Sequence, residues 1–219
     1  MLSSMLVSAG YFRKTAAVSS SHFCSAERQF RFPLEYGGQR TPTAQWTATA
    51  AGALILSDEG EGPYITEVLP GRIVDGGIKD ANNMGAAMAP AAMDTLMAYF
   101  EDSGRSPDFF DRILTGDLGK EGLQITLELM KNDGYDMEKV YNDCGLLLFG
   151  GKTQDVHCGG SGCGCSASVI SGHVMKRFRS GEFHDVLYIA TGALMNADST
   201  KQGSSIPGIA HLVHISDRK

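Results

Sequence analysis

The strongest constraint on the fold is an order of elements that occurs twice in this sequence of 219 residues. One helical pattern is followed by Gly10-Tyr11-Phe12 and a strand, and a second helical pattern is followed by Gly181-Glu182-Phe183 and a strand. Each strand leads through a long loop to a further strand, and these later strands end alike, at Ser57-Asp58 and at Ser216-Asp217. The repeat predicts a chain built from two similar halves.

The second half has the full set of elements: strand, helix, strand, helix, strand, helix, strand and strand. Only the last helix and two strands of the first half are present, so we place the first half at residues 1–60 and the second at 61–219. Alternating strands and helices predict a layered α/β fold with mostly parallel strands and right-handed crossovers. Because the sequence opens inside a helical pattern with no cap before it, we expect N-terminal sequence to be missing.

Three local patterns carry more specific predictions. Pro90 suits the first turn of a helix whose buried stripe follows it. The small residues of 46–57 predict one strand that is covered on both faces. The apolar run of 146–149 predicts a short buried strand.

The net charge, the hydropathy pattern and the cysteine count argue against several classes of protein. A net charge of −6 argues against a general nucleic-acid binder. No stretch approaches the ~20 apolar residues of a membrane span, and the start of the sequence lacks the pattern of a signal peptide. Five cysteines, an odd number and partly clustered, are typical of a reducing compartment rather than of a disulfide framework.

The glycine-rich run of 159–167 (GGSGCGCSA) leads directly into a helical pattern. Glycines leave backbone amides uncovered, and the first turn of a helix offers unpaired N–H groups at the positive end of its dipole. Together these features predict an anion or oxyanion site with two thiols, Cys163 and Cys165, beside it.

Three other interpretations of this run stay open. His157, Cys158, Cys163 and Cys165 could bind a metal, although zinc ligands usually come in two separated pairs. A phosphate-binding loop would need the Gly-Lys-Ser/Thr ending that is absent here. The run could also be a close-packed turn in which small residues let a helix and a strand touch.

Short motifs in a fixed order run along essentially the whole chain. They are Ser19-Ser20-Ser21-His22, residues 26–31 (AERQFR), 35–39 (EYGGQ), 88–92 (MAPAA), 113–118 (ILTGDL), 143–147 (DCGLL), the glycine-rich run, 191–194 (TGAL) and 206–211 (IPGIAH). Their shared order resembles the stage V sporulation protein AD family, which is thiolase-like. The resemblance implies a layered α/β/α/β/α fold whose second half is complete and whose first half is only partial.

The resemblance also implies a function in forming bacterial endospores. Family members help to move dipicolinic acid, chelated to calcium, into the developing spore, and they work beside membrane proteins of the same operon. A peripheral location on the cytoplasmic side of the forespore or spore inner membrane follows, and a homodimer is the expected assembly. We expect no cofactor, no bound metal site in the protein and no nucleic-acid partner.

Ligand-binding residues are expected around the glycine-rich run and the ends of the strands. The candidates are His22, Arg28, Arg31, Asp117, Gly162, Cys163, Gly164, Cys165 and Ser166. The amides of Cys163, Gly164 and Cys165 could hold one carboxylate of dipicolinate, and Arg28 or Arg31 could pair with the other. Asp117 lies where thiolase-like enzymes present a catalytic histidine, so it is a candidate ligand or calcium contact, with a structural turn residue as the alternative.

Catalysis is the less favoured prediction. Candidates for it are Cys163, Cys165 and Asp117, whereas the nucleophilic cysteine of thiolase-like enzymes lies in the N-terminal portion of the family. We therefore expect a ligand-binding protein, with an acyltransferase or an inactive fragment as alternatives. The fragment alternative predicts exposed apolar surface where the rest of the first half would pack.

Overall fold

The computed structural model describes residues 1–23, 41–149 and 156–219. Its strands are β1 (Lys14–Ser21), β2 (Trp46–Thr47), β3 (Ala50–Ser57), β4 (Tyr64–Leu69), β5 (Ile73–Val74), β6 (Arg112–Thr115), β7 (Tyr141–Asp143), β8 (Gly160–Ser161), β9 (Asp185–Ala193) and β10 (Gly208–Ser216). Its α-helices are α1 (Leu2–Ser8), α2 (Met84–Ser103), α3 (Gly119–Asn132), α4 (Cys144–Leu148), α5 (Cys163–Ser168), α6 (Met175–Arg179) and α7 (Ala197–Lys201). A π-helical stretch, Val169–Val174, joins α5 to α6, so that residues 163–179 form one central helix.

The main sheet has the strand order β4-β10-β9-β6-β7, with β5 also paired to β10. β7, β6 and β9 run parallel, whereas β10 is antiparallel to β9, to β4 and to β5. Since β4, β5 and β9 are all antiparallel to β10, five of the six strands run in one direction and only β10 opposes them, which confirms the prediction of mostly parallel strands. β9 and β10 follow each other without a crossover helix that spans the sheet, and strands joined in this way pair antiparallel.

Two smaller sheets come from the first part of the chain. β1 and β3 pair antiparallel from Lys14 opposite Ser57 to Ser21 opposite Ala50. β2 pairs in parallel with β8, which places Trp46 opposite Gly160 and Thr47 opposite Ser161. The second pairing joins the first part of the chain directly to the glycine-rich run.

Two apolar clusters lie on opposite faces of the main sheet. On one face, α2 and α3 cover a cluster that includes Leu96 and Ile189. On the other face, the central helix covers a cluster that includes Val174 and Val186, and Leu54 of β3 packs against the same cluster. The described residues thus form four layers: α2 with α3, the main sheet, the central helix with α1, and the β1–β3 sheet.

The structure corrects the local predictions for Pro90 and for residues 146–149. Pro90 lies inside α2, which begins six residues earlier, where the Asn83 side chain accepts a hydrogen bond from the amide of Ala86. Residues 146–149 do not form a strand, because Asp143 caps α4 by accepting from the amide of Gly145. The buried strand of this region is β7, which comes just before.

The predicted strand over residues 46–57 is divided into β2 and β3, and β3 is not covered on both faces. Burial alternates along β1 and β3, so one face of their sheet packs inward and the other faces solvent. Val18 and Ile55 are large apolar residues on the outer face, and both are exposed. Exposed apolar surface is therefore present on the partial half. No helix within the described residues has the length and apolar character needed to cross a membrane.

Candidate functional site

Asp117 lies just after β6, and its carboxylate joins three elements of the fold. One oxygen, Oδ2, accepts hydrogen bonds from the Ser161 hydroxyl at 2.9 Å and from the Gly162 amide at 3.0 Å. The other oxygen, Oδ1, accepts from the Thr191 hydroxyl at 3.1 Å. The side chain is half-buried. Asp117 therefore holds together the end of β6, the start of the central helix and β9.

The turn that carries Asp117 is fixed from two sides. On one side Gly116 lies so close to β9 that a Cβ at this position would be 3.0 Å from the Thr191 hydroxyl oxygen. On the other side the Gln45 side chain donates hydrogen bonds to the carbonyls of Asp117, at 2.8 Å, and Gly160, at 3.2 Å. Gln45 is buried, so its hydrogen bonds stabilise the turn more than those of an exposed side chain would.

Asp143 supports the same turn from the protein interior. Its buried carboxylate accepts from the Thr115 hydroxyl and from the amides of Leu118, Gly119 and Gly145, at 2.8 to 3.1 Å. Burial raises the pKa of Asp143 to about 6, and the nearby Asp117 charge also raises it, whereas the hydrogen bonds from Thr115 and the two turn amides oppose the rise. This carboxylate positions the backbone around Asp117.

The glycine-rich run forms a tight turn that leads into a helix, as predicted. Gly162 has a φ of 103°, which favours glycine, and it directly precedes α5. The predicted carboxylate cradle is only partly available, because two of its three amides already have acceptors. The Gly164 amide donates to the Ser21 hydroxyl at 2.9 Å, and the Cys165 amide donates to the carbonyl of Gly162 at 2.9 Å.

Close packing explains the glycine at position 164. A Cβ there would be 2.1 Å from the carbonyl oxygen of Ala50 in β3 and 2.7 Å from the backbone nitrogen of Ser21. The start of the central helix therefore touches the β1–β3 sheet with backbone against backbone. Of the alternatives for the run, the close-packed turn describes this contact.

The two thiols of the run have different environments. Cys163 is exposed, and its carbonyl accepts from the Ser19 hydroxyl at 3.1 Å. Cys165 is 0% exposed and packs with Cys144 in the apolar cluster under the central helix. Cys165 therefore cannot meet a substrate in this structure, which removes it as a catalytic candidate. Ser166, one residue further along, is half-buried.

Of the remaining predicted ligand residues, the structure describes only His22. His22 is exposed directly after β1, where the neighbouring Ser21 makes the contact with the central helix. Phe23 stacks on Trp46 with ring centroids 5.2 Å apart. Arg28 and Arg31 lie outside the described residues.

The candidate metal ligands do not converge. His157 Nδ1 lies 2.7 Å from the carbonyl of Thr41, the Cys158 thiol donates to the carbonyl of Pro42 at 3.2 Å, and Cys165 is buried elsewhere. In the part of the chain that the structure describes, no group of three or more His, Cys, Asp or Glu side chains could hold a metal ion.

Asp117 and Thr191 line two cavities. The smaller cavity, of about 300 Å³, is bounded by polar and methionine side chains: Thr41, Thr43, Gln45, Asn82, Met84, Met88, Asp117, Ser161, Thr191 and Met195. The larger cavity, of about 1050 Å³, lies between β1–β3 and the main sheet. Cys163, Ser166 and Tyr188 are on its wall, together with many apolar residues of both sheets. Asp117 thus lies between a polar cavity and a largely apolar one.

Sequence reasoning missed most of the side chains that hold Asp117 in place. Ser161 and Thr191 occur within motifs that were recognised, but nothing in the sequence links them to a carboxylate far away in the chain. Asp143 had a usable signal, since an acidic residue at the end of a buried strand needs donors around it. Gln45 had none.

Comparison with known proteins gives a family. The model of the family described as stage V sporulation protein AD matches residues 1–216. Stage V sporulation protein AD of Bacillus subtilis strain 168 is 44% identical over 210 residues, which cover 96% of this chain and 62% of that protein. The chain therefore spans less than two thirds of the length of this relative.

Solved structures show the same fold at low sequence identity. The 3-oxoacyl-[acyl-carrier-protein] synthase III of Aquifex aeolicus VF5 matches with a TM-score of 0.52 and 12% identity over 97% of this chain and 61% of that one. The corresponding synthase of Pseudomonas aeruginosa PAO1 gives 0.53 and 12%, with the same coverage. These enzymes are thiolase-like, and the likeness confirms the thiolase-like fold class.

Proposed function

Because this chain belongs to the stage V sporulation protein AD family, we propose that it acts in bacterial spore formation by binding dipicolinic acid as its calcium chelate. Binding would serve uptake of the chelate into the developing spore. The membrane proteins of the same operon and a peripheral location at the spore inner membrane are predicted from the resemblance. The proposed function is binding, and catalysis is a second candidate.

The small cavity at Asp117 is the observation that carries the proposal. Its volume of about 300 Å³ is at the lower end of ligand sites in proteins, which suits one small molecule. The hydroxyl oxygens of Thr43, Ser161 and Thr191 lie on its walls. Their protons are donated to the Asn82 carbonyl and to the Asp117 carboxylate, which leaves the oxygen lone pairs for a calcium ion. Met84 and Met88 are suited to a flat ring, because thioethers make favourable contacts with aromatic faces and edges.

The charge of Asp117 distinguishes the chelate from free dipicolinate. A carboxylate in the wall repels a dianion, and the described lining of this cavity includes no arginine, lysine or histidine to offset it. A bound calcium ion reverses the sign of the interaction, since calcium takes carboxylate and hydroxyl oxygens as ligands. The site therefore favours calcium dipicolinate over dipicolinate alone.

Isothermal titration tests the proposal with dipicolinate in the presence and absence of calcium. We expect calcium dipicolinate to bind at least about tenfold more tightly than dipicolinate alone, and Asp117→Asn to remove that preference, since tenfold corresponds to only 1.4 kcal/mol. Asp133→Asn, at the exposed end of α3, makes the same change in charge outside the cavity and should bind normally. Absence of heat from the folded chain, or unchanged binding by Asp117→Asn, would contradict the proposal.

Acyl transfer is a second candidate, and the exposure of Cys163 favours it. The thiol lies on the wall of the larger cavity, whose lining is mostly apolar and could hold an acyl chain. In this reaction the Cys163 thiolate attacks the thioester carbonyl of an acyl-CoA, and the coenzyme A thiolate leaves. Mass spectrometry after incubation with acyl-CoA should then show one adduct that Cys163→Ser loses and Cys158→Ser keeps. Absence of an adduct from both the unsubstituted chain and Cys158→Ser would exclude this function.

A further inference from the structure

One wall of the small cavity is an extended stretch of chain at the end of β9. Thr191, Ala193 and Met195 all line this cavity, and they occupy alternate positions of the sequence. The Leu194 amide donates to the carbonyl of Pro207 at 2.8 Å, which continues the antiparallel pairing of β9 with β10 by one residue. Because side chains alternate along a strand, the three residues share one face, which is the face that α2 covers.

The polarity of this wall changes from one end to the other. The Thr191 hydroxyl donates to the Asp117 carboxylate at 3.1 Å, so it belongs to the polar end of the cavity. Ala193 has a small side chain, which leaves room above the strand, and neighbouring side chains on one face of a strand lie about 7 Å apart. A small ligand whose charged end reaches Asp117 therefore extends over Ala193 toward the thioether of Met195.

Met195 has a fixed backbone and an unpacked side chain. The side chain is 39% exposed, whereas Met88, which lines the same cavity from α2, is 4% exposed. Met195 belongs to neither of the two apolar clusters of the described residues. Its neighbours are held on both sides, by the hydrogen bond of the Leu194 amide and by the Asn196 side chain, which caps α7. A bound ring would cover a thioether that protein atoms leave uncovered.

The chemistry of the calcium chelate determines which part of the ligand reaches this thioether. Dipicolinate holds a calcium ion between its two carboxylates and its ring nitrogen, so the ring carbon opposite the nitrogen points directly away from the metal. With calcium at Asp117, that carbon faces the other end of the wall. The residue at that end is Met195.

Resting on the proposed function, we infer that Met195 is a specificity-determining residue whose thioether contacts the ring edge opposite the calcium ion. Thioethers make favourable contacts with the edges of aromatic rings, and the ring removes an exposed apolar side chain from water. The contact therefore favours a chelate with a ring over one that offers only carboxylates. The charge of Asp117 selects the metal, and Met195 selects the ring.

Isothermal titration with two calcium chelates tests this inference on the 219-residue chain. Calcium dipicolinate and calcium oxydiacetate have the same charge, and each holds the metal with two carboxylates and one neutral atom, but only dipicolinate has a ring. Met195→Ala should weaken binding of calcium dipicolinate about tenfold, which corresponds to 1.4 kcal/mol, and should leave binding of calcium oxydiacetate unchanged. Leu194→Ala is the matched control, since Leu194 is 51% exposed and outside the described lining, and it should bind both chelates normally.

Methyl spectra of the methionine-labelled chain report the contact independently of affinity. Calcium dipicolinate should shift the Met195 methyl resonance through the ring current, and calcium oxydiacetate should not. Met5, which is 41% exposed in α1, is the matched control and should shift with neither chelate. The spectrum of Met195→Ala assigns the resonance.

The outcomes separate failure of this inference from failure of the proposed function. If calcium dipicolinate binds but Met195→Ala binds it as tightly, or loses both chelates equally, Met195 does not select the ring and the proposed function stands. An unshifted Met195 methyl in the bound chain would overturn the inference in the same way. If the unsubstituted chain binds neither chelate, the proposed function fails and the role of Met195 fails with it.

Discussion

The β1–β3 and β9–β10 pairs share one backbone design, since the Asp58 amide donates to the Arg13 carbonyl beside the Lys14–Ser57 pair, as the Asp217 amide donates to the His184 carbonyl beside the Asp185–Ser216 pair. Counting along these registers makes Val18 equivalent to Ile189 and Ile55 equivalent to His214. At the second of these positions, burial is opposite to what side-chain polarity alone would give. His214 is 3% exposed, and its ring nitrogens lie 2.9 Å from Asp185 Oδ1 and 3.1 Å from the Thr66 hydroxyl. Ile55, its counterpart, is apolar and 70% exposed. The helices that cover a strand therefore determine which of its side chains are buried, and the polarity of those side chains does not.

The largest expected effect separates two equivalent positions. Ile189→Asp places an unpaired carboxylate in the core and should cost more than about 4 kcal/mol of the free energy of unfolding. Val18→Asp changes an exposed residue at the equivalent position and should cost within about 0.5 kcal/mol. Urea unfolding of the two variants measures both values. Equal losses would show that the outer face of β1–β3 is covered in the isolated chain.

The next effect concerns Asp143, a buried carboxylate of the covered half. Asp143→Ala leaves the Thr115 hydroxyl and three amides without their acceptor and should cost about 3 kcal/mol at pH 7. Thermal or urea unfolding measures this loss. A loss below about 1 kcal/mol would mean that water replaces the carboxylate at no cost.

The same variant gives a pH dependence with a definite sign. The pKa of Asp143 is raised from 3.8 to about 6, so the native state holds this proton more tightly than the unfolded state. Its contribution to stability is then fully present below about pH 4 and is lost as the pH rises through 6. Asp143→Ala should therefore cost more at pH 4 than at pH 8, by up to about 3 kcal/mol. A cost that increases with pH would contradict the assignment.

The smallest effect compares two glycines of the central helix. Gly164→Ala must push apart the helix and β3, since its Cβ would lie 2.1 Å from the carbonyl oxygen of Ala50, and should cost about 2 kcal/mol. Gly172→Ala has no atom within 4 Å of its Cβ and should stabilise the chain by up to about 1 kcal/mol, because alanine favours a helix more than glycine does. Thermal unfolding distinguishes the two. Tolerance of Gly164→Ala would mean that the β1–β3 sheet moves freely on the helix.

The sequence predicted what depends on local pattern and on the repeat. The layered fold, the helices α1, α2 and α3 with the central helix, and the turn at Gly162 were recovered because glycine spacing and periodicity are local signals. The apolar run of 146–149 was misassigned, because a short apolar run is compatible with strand or helix until a cap such as Asp143 is known.

Contacts between distant residues could not be predicted. The Ser21 hydroxyl occupies the Gly164 amide although the two residues are 143 positions apart. The expected carboxylate site needed that amide as a free donor. The structure therefore favours Asp117 as the centre of the candidate site, and the partners of Asp117 come from β8, the start of the central helix and β9. Cys163 and Cys165 look alike in sequence, and only the helix geometry places one outside and the other in the core.

Hydrogen exchange of the isolated chain tests the difference between the two halves most directly. β9 is bonded on both edges and covered on both faces, whereas within the described residues β1 is bonded on one edge and has an open face. Amides of Lys14–Ser21 should exchange on the order of 100-fold faster than those of Asp185–Ala193. Equal protection of the two strands would contradict the account.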